Sequence, residues 1–272
     1  MLQLHSSSRS HLEKVRENLP QSLLLSGPKG VGLATLAKDI AGKNLAAFIQ
    51  PTNTKGETDS EGTISVETIR ELYEATRAKQ KNARIIVIDD ADRMSTAASG
   101  AFLKLLEEPT AHTHFILTSH APQALLPTIR SRLQEVKIQP LDIQQTDIFL
   151  TELSISDATK RLQLQFIAGG LPAEMSRLFN DAEYFSKRAE LMADARAFLT
   201  TKTYDKLLLV QKYQTSRESA LQLLDSALII ARRGISAKPQ HMLVSQLDAL
   251  LTARENIAMN FSVRLQLTRL VL

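Results

Sequence analysis

The sequence predicts an α/β domain followed by all-α domains. Short β-rich runs alternate with helical patterns over about the first 140 residues, the mark of a parallel sheet with crossover helices. A glycine-rich turn joins the first of these runs to a helix. After Pro140 the β-rich runs stop and apolar residues recur at helical spacing to the end.

Leu19 to Ser26 reads as a short buried strand, Gly27-Pro28-Lys29-Gly30-Val31-Gly32 as the turn and Leu33 to Ala41 as a helix. Gln50 to Gly62 is polar and rich in turn residues, so a surface loop is expected. Ser65 opens a helix to Lys79, with Val66, Ile69, Leu72 and Tyr73 on one stripe. Arg84 to Asp90 is a β-branched run ending in carboxylates, a central strand buried on both faces. Ser95 to Glu108 is a helix stopped by Pro109, Thr113 to Ser119 is a strand, and Arg130 to Ile138 leads into a last short one. Helices are expected over 146–153, 157–168, 172–179 and throughout 182–272, with a loop from Gly234 to Pro239. There is no internal repeat.

Composition bounds the function. The 272 residues are 43% apolar and 23% charged, which excludes a disordered or low-complexity chain. There is no cysteine, hence no disulfide framework, thiolate zinc site or cysteine nucleophile. Aromatics are 5% with no Trp, a poor base-stacking platform. The net charge of +4 is compatible with a nucleic-acid partner without demanding one. No apolar run is long enough to span a membrane, and Met1 to Ser6 lacks the basic and apolar regions of an export signal, so the cytoplasm is the expected location.

The turn at 27–32 has the setting of a phosphate loop, G-x-x-x-x-G-K-[ST] between strand and helix, whose amides cradle an anion. Gly27, Gly30 and Gly32 fit, but Leu33 and Ala34 stand where the lysine and the magnesium-binding hydroxyl belong. Lys29 sits four positions early. The strand ending in Asp89 and Asp90 has the form of the acidic strand that accompanies such loops. In an active ATPase the first acid holds magnesium and a following Glu orients water; here Asp90 is one methylene shorter. No histidine pairs with carboxylates at metal-ligand spacing, so no metal site is expected.

Further motifs carry a resemblance. Asp89-Asp90-Ala91-Asp92-Arg93-Met94, the run Ala101 to Pro109 ending Leu-Glu-Glu-Pro, Phe115 to Ser119 and Leu125 to Arg132 with its Thr-Ile-Arg-Ser-Arg element occur in that order. Ile64 to Arg70 and Asn256 to Leu272 add to the series. The chain resembles the AAA+ clamp-loader subunits of bacterial DNA polymerase III, most of all the delta-prime kind, strongly over 20–140 and beyond that by pattern and length.

The resemblance implies an AAA+ domain at 1–140, a helical lid at 141–182 and a helical collar at 183–272 that assembles subunits into a ring arc. It implies gamma/tau-like ATPase and delta subunits, the sliding clamp and primer–template DNA as partners, with each ATP lying between two neighbours. It also implies that Ser131 and Arg132 belong to the motif whose arginine reaches a neighbour's ATP in trans, the family's cysteine being replaced by Leu133. Thr118 takes the sensor place on its strand, and the second sensor arginine falls at Ala173, with Arg177 a turn later. ATPase members carry a four-cysteine zinc module; this chain has none, so no zinc is expected, and any ATP is the neighbour's. With Leu33, Ala34, Asp90 and Ala173 all altered, the chain reads as unable to hydrolyse ATP but equipped to help a neighbour do so. The alternative is a gamma-like ATPase with a divergent phosphate loop. Ser65, Lys79 and Lys81 are candidates for DNA phosphate contacts.

Overall fold

The structure, a computed structural model, describes residues 3–59, 61–77, 83–108, 110, 112–237 and 241–271. It divides into two compact units, Met1–Ser176 and Arg177–Leu272.

In the first unit, α1 (Ser6–Glu17) precedes β1 (Ser22–Ser26), α2 (Leu33–Ala41), β2 (Leu45–Ile49), α3 (Val66–Arg77), β3 (Arg84–Ile88), α4 (Thr96–Glu107), β4 (Thr113–Ser119), α5 (Pro127–Arg130) and β5 (Gln134–Lys137). The strands form one parallel sheet in the order β2-β3-β4-β1-β5. Period-2 alternation then sends neighbouring residues to opposite faces. Leu23, Leu25, Ile85 and Val87 pack with α1 and α2, while Leu24, Ile86 and Ile88 pack with α3 and α4. Both faces are covered, which is why these strands read as unbroken apolar runs. On the α4 face the Phe102 and Phe115 rings meet edge to face, centroids 5.4 Å apart, and both are fully buried. Phe102→Ala is expected to cost about 4 kcal/mol in a urea melt, because removing the ring leaves a large cavity in a close-packed core. A loss under about 1 kcal/mol would contradict this packing.

The same unit continues into α6 (Ile143–Glu152), α7 (Ala158–Ala168) and the first turn of α8 (Pro172–Asn180). The expected start of α6 at Thr146 moves back three residues, because Asp142 and Gln145 form a reciprocal capping box. The Leu141 amide donates to the Gly170 carbonyl at 2.7 Å, pinning the entry of α6 to the entry of α8.

The second unit holds α9 (Ala182–Thr200), α10 (Thr203–Tyr213), α11 (Arg217–Ala237), α12 (His241–Ala258) and α13 (Val263–Arg269). Its core joins Ala195 and Phe198, Val210 and Tyr213, Leu223, Leu224 and Ala227, Ile257 and Leu267. Leu207 and Leu208, though apolar, are 39% and 49% exposed, since α10 buries only its Val210–Tyr213 face. The loop expected from Gly234 is also corrected: α11 runs through Gly234 to Ala237, and 238–240 lie outside the described residues. A mid-helix glycine costs about 1 kcal/mol, which packing of the long apolar face of α11 outweighs. Among the described residues no helix is long and apolar enough to cross a membrane.

Candidate functional site

The glycine loop leaves the carboxyl end of β1 and enters α2, at the edge of the sheet where parallel α/β folds place their ligands. Gly27 is required by space: a Cβ there would lie 2.6 Å from the Ile138 carbonyl oxygen. Gly30 and Gly32 are required by conformation, with φ of +87° and +95°. Gly32 is the N-cap of α2 and offers no side chain to its amides. Leu33, in the lysine's place, is 2% exposed and packs into the core under the sheet with Leu36 and Val31. Ala34 has no hydroxyl to offer a metal. Lys29 points elsewhere, 3.8 Å from Glu61 on the surface.

The start of α8 closes on this loop. The amides of Ala173 and Glu174, at the start of α8, both donate to the Gly30 carbonyl, at 2.9 and 3.2 Å. A helix start needs acceptors for its free amides, and here the glycine loop itself supplies one. A Cβ built on Gly30 would meet the Glu174 Cβ at 3.0 Å, and one on Gly32 the Ala173 Cβ at 3.7 Å. The position that would carry a sensor arginine therefore lies against the loop with only a methyl group. Arg177 begins the second unit and stacks its guanidinium 3.8 Å over the Tyr184 ring.

The acidic residues are tied to protein partners. Asp89 is 8% exposed; its Oδ1 accepts from the Thr118 hydroxyl at 2.6 Å and its Oδ2 from Gln50 Nε2 at 3.2 Å. Thr118 Oγ1 accepts in turn from the Asp90 amide at 3.0 Å. Asp90 itself is left-handed, at φ 47°, which places its carboxylate 3.6 Å from His120 Nε2. His120 Nδ1 donates to the Gly27 carbonyl at 2.8 Å. Burial, and then the negative charge of Asp89, push the Asp90 carboxyl above its ordinary range, with His120 opposing. Gly27, Gly30, Gly32, Leu33, Ala34, Asp89, Asp90 and Thr118 are thus gathered at one end of the sheet. The donor set for a magnesium triphosphate does not fit: the two positions directly after Gly32, Leu33 and Ala34, carry no ammonium or hydroxyl, and the first acid's oxygens are already hydrogen-bonded. No group of three or more potential ligands for a metal ion occurs among the described residues.

Ser131 and Arg132 lie apart from this cluster in their contacts. Ser131 is the C-cap of α5, and its hydroxyl donates to the Thr128 carbonyl at 3.1 Å. Arg132 donates from one terminal nitrogen to the same carbonyl at 2.9 Å and from the other to Glu107 Oε1 at 2.9 Å. Arg130 is exposed, and among the described residues its side chain makes no hydrogen bond or ion pair.

Of the candidates for DNA contact, Lys79 and Lys81 lie outside the described residues. Ser65 caps α3: its oxygen accepts from the Thr68 amide at 3.3 Å. The Glu67 backbone amide, and then the Ser65 hydroxyl, hold the Glu67 carboxyl below the usual carboxylate range. A negative charge already answers this helix start, where a phosphate would otherwise bind.

Sequence reasoning missed Gln50, His120, Glu107 and the Gly30 carbonyl. His120 follows the Thr118-Ser119 pair directly, and Gln50 directly follows an unrecognised edge strand; these positions are the signals that could have found them.

The family described as "DNA polymerase III, delta subunit" matches residues 43–142. The delta' subunit of DNA polymerase III from Pseudomonas aeruginosa is 28% identical over 178 residues, 57% of this chain and 54% of that protein. The replication factor C small subunit of Aeropyrum pernix is 29% identical over 133 residues, 47% of this chain and 40% of that protein. The matches thus cover about half the length of these relatives. A DNA polymerase III gamma subunit-related protein of Thermotoga maritima shares the fold, with a TM-score of 0.55 over 96% of both chains at 18% identity. Over its sheet-bearing half the chain is thus similar in sequence to DNA polymerase III delta' and replication factor C subunits, and as a whole it shares the fold of the gamma subunit-related protein.

Proposed function

We propose that this chain is a non-catalytic subunit of a DNA polymerase III clamp loader, acting in DNA replication in the cytoplasm. It helps to place the sliding clamp on primer–template DNA and lends Arg132 in trans to the ATP of a neighbouring subunit. Residues 1–140 serve as the AAA+ domain, 141–182 as the lid and 183–272 as the collar that joins gamma/tau-like ATPase and delta subunits. The observation that carries the non-catalytic reading is the phosphate loop: Leu33 is folded into the core and the Gly30 carbonyl caps the first turn of α8. The chemistry left to the chain's own residues is that of an arginine on an exposed turn, a group that stabilises charge on a transferring phosphoryl. DNA contacts belong to the assembled complex, since Ser65 is engaged as a helix cap.

The test starts with the isolated chain and magnesium ATP. We expect no turnover and no saturable nucleotide binding by equilibrium dialysis. Installing Leu33→Lys with Ala34→Thr should not create an ATPase, because Asp89 stays hydrogen-bonded and the lid stays on the loop. The same double variant should lose about 2 kcal/mol of stability, as an ammonium replaces a core leucine. Turnover by the unaltered chain, scaling with its concentration, would sink the proposal and favour the gamma-like ATPase. Gel filtration with clamp-loader ATPase and delta subunits should give one joint complex.

A further inference from the structure

The two hydrogen bonds of Arg132 fold its side chain back onto its own subunit. One goes to the carbonyl four residues earlier, Thr128, so the arm lies along its own turn and not away from it. The other goes to Glu107, the last residue of α4. An arginine that reaches a neighbour must extend, and its guanidinium must be given to phosphate oxygens. A carboxylate and a phosphate compete for the same planar donors. We propose that Glu107 is a positioning residue that parks the Arg132 guanidinium, and that a nucleotide phosphate on a neighbouring subunit displaces it when the arginine engages.

This inference rests on the reading of Arg132 as the trans arginine. The chemistry suits a reversible catch. The Arg132 and Glu107 side chains are 40% and 52% exposed, so water and salt weaken the pair and exchange is easy. The guanidinium has five N–H donors, and the two bonds leave others for an arriving oxygen. The Glu107 negative charge also opposes an incoming triphosphate until the pair opens. A parked fraction of this kind raises the ligand concentration needed for engagement without changing the engaged state.

The test uses the full chain in a complex with clamp-loader ATPase and delta subunits, with ATP hydrolysis followed against ATP concentration in the presence of clamp and primed DNA. Glu107→Gln keeps the shape and removes the charge. The expected result is a half-saturating ATP concentration lower by about two- to fivefold with an unchanged maximal rate, the range an exposed ion pair spans. Glu107→Asp, which keeps the charge on a shorter arm, should fall between, and in an Arg132→Ala background the Glu107→Gln effect should vanish. Glu107→Gln indistinguishable from the unaltered chain, with Arg132→Ala still lowering the rate, overturns the catch and leaves the trans arginine standing. A fall in maximal rate with half-saturation unchanged also overturns it, since Glu107 would then align the engaged arginine. An Arg132→Ala complex as active as the unaltered one overturns both. Melting curves of each variant, superimposable on the parent, exclude a folding effect at these exposed positions.

Discussion

Arg132→Ala should leave the complex assembled and remove nearly all hydrolysis at the one ATP site that this arginine is proposed to serve. Where an arginine supplied in trans has been removed in related phosphoryl transfer, the rate falls by about 10³-fold or more. The term is large because the charge acts on oxygens already excluded from water, where a fixed cation needs no reorganisation. Steady-state ATPase of the whole complex should therefore drop by at least the share of that site, and single-turnover hydrolysis should show one site silenced. Arg132→Lys should not rescue it, because an ammonium is a point charge and cannot fork two oxygens. Arg130→Ala, two residues away and exposed, should hydrolyse at the parental rate and serves as the control for charge. A rate for Arg132→Ala within about twofold of the parent would remove the assignment, since an engaged trans arginine contributes far more than that.

Gly170→Ala is expected to be the most damaging single methyl group in the first unit. The residue has φ of +82°, and a Cβ would lie 2.4 Å from the Leu141 carbonyl oxygen. The left-handed conformation costs an L residue about 1–2 kcal/mol. Displacing the backbone to relieve the clash also strains the 2.7 Å bond from the Leu141 amide to the Gly170 carbonyl, worth about 1 kcal/mol. A total loss of about 3 kcal/mol should appear as a shifted urea midpoint. Gly100→Ala is the matched control. It sits on the exposed side of α4 with nothing within 4 Å of its would-be Cβ, so the same added methyl should raise stability by about 0.5–1 kcal/mol. If both variants melt alike, space and conformation at Gly170 are not what the structure depicts.

The parts of the fold legible in the sequence are those whose burial is extreme. β1, β3 and β4 are covered on both faces, so Leu23 to Leu25, Ile85 to Ile88 and Phe115 to Leu117 announce themselves as apolar runs. α1 was not legible: of Ser6–Glu17 only Ser8, Leu12 and Val15 are buried, and serines and charges fill the rest. β2, Leu45–Ile49, was missed for the same reason, being a short edge strand that is nowhere fully buried. At the site, the glycines and acids were readable because backbone conformation and strand ends constrain residue type. Contacts between distant segments were not. Gly30 meets α8 through a main-chain oxygen, Asp89 meets Gln50 across a strand pair, and Arg132 meets Glu107 at a helix end, and none of these pairings has a spacing rule.

The buried Leu33 and the capped Gly30 carbonyl have a consequence for order within an assembly of the proposed kind. Each site there is built from two faces, one that receives nucleotide and one that gives an arginine. A member that gives and does not receive can pass such an interaction on but cannot accept one. It therefore ends the row, and the asymmetry of a whole machine can be set by what one side chain and one carbonyl withhold.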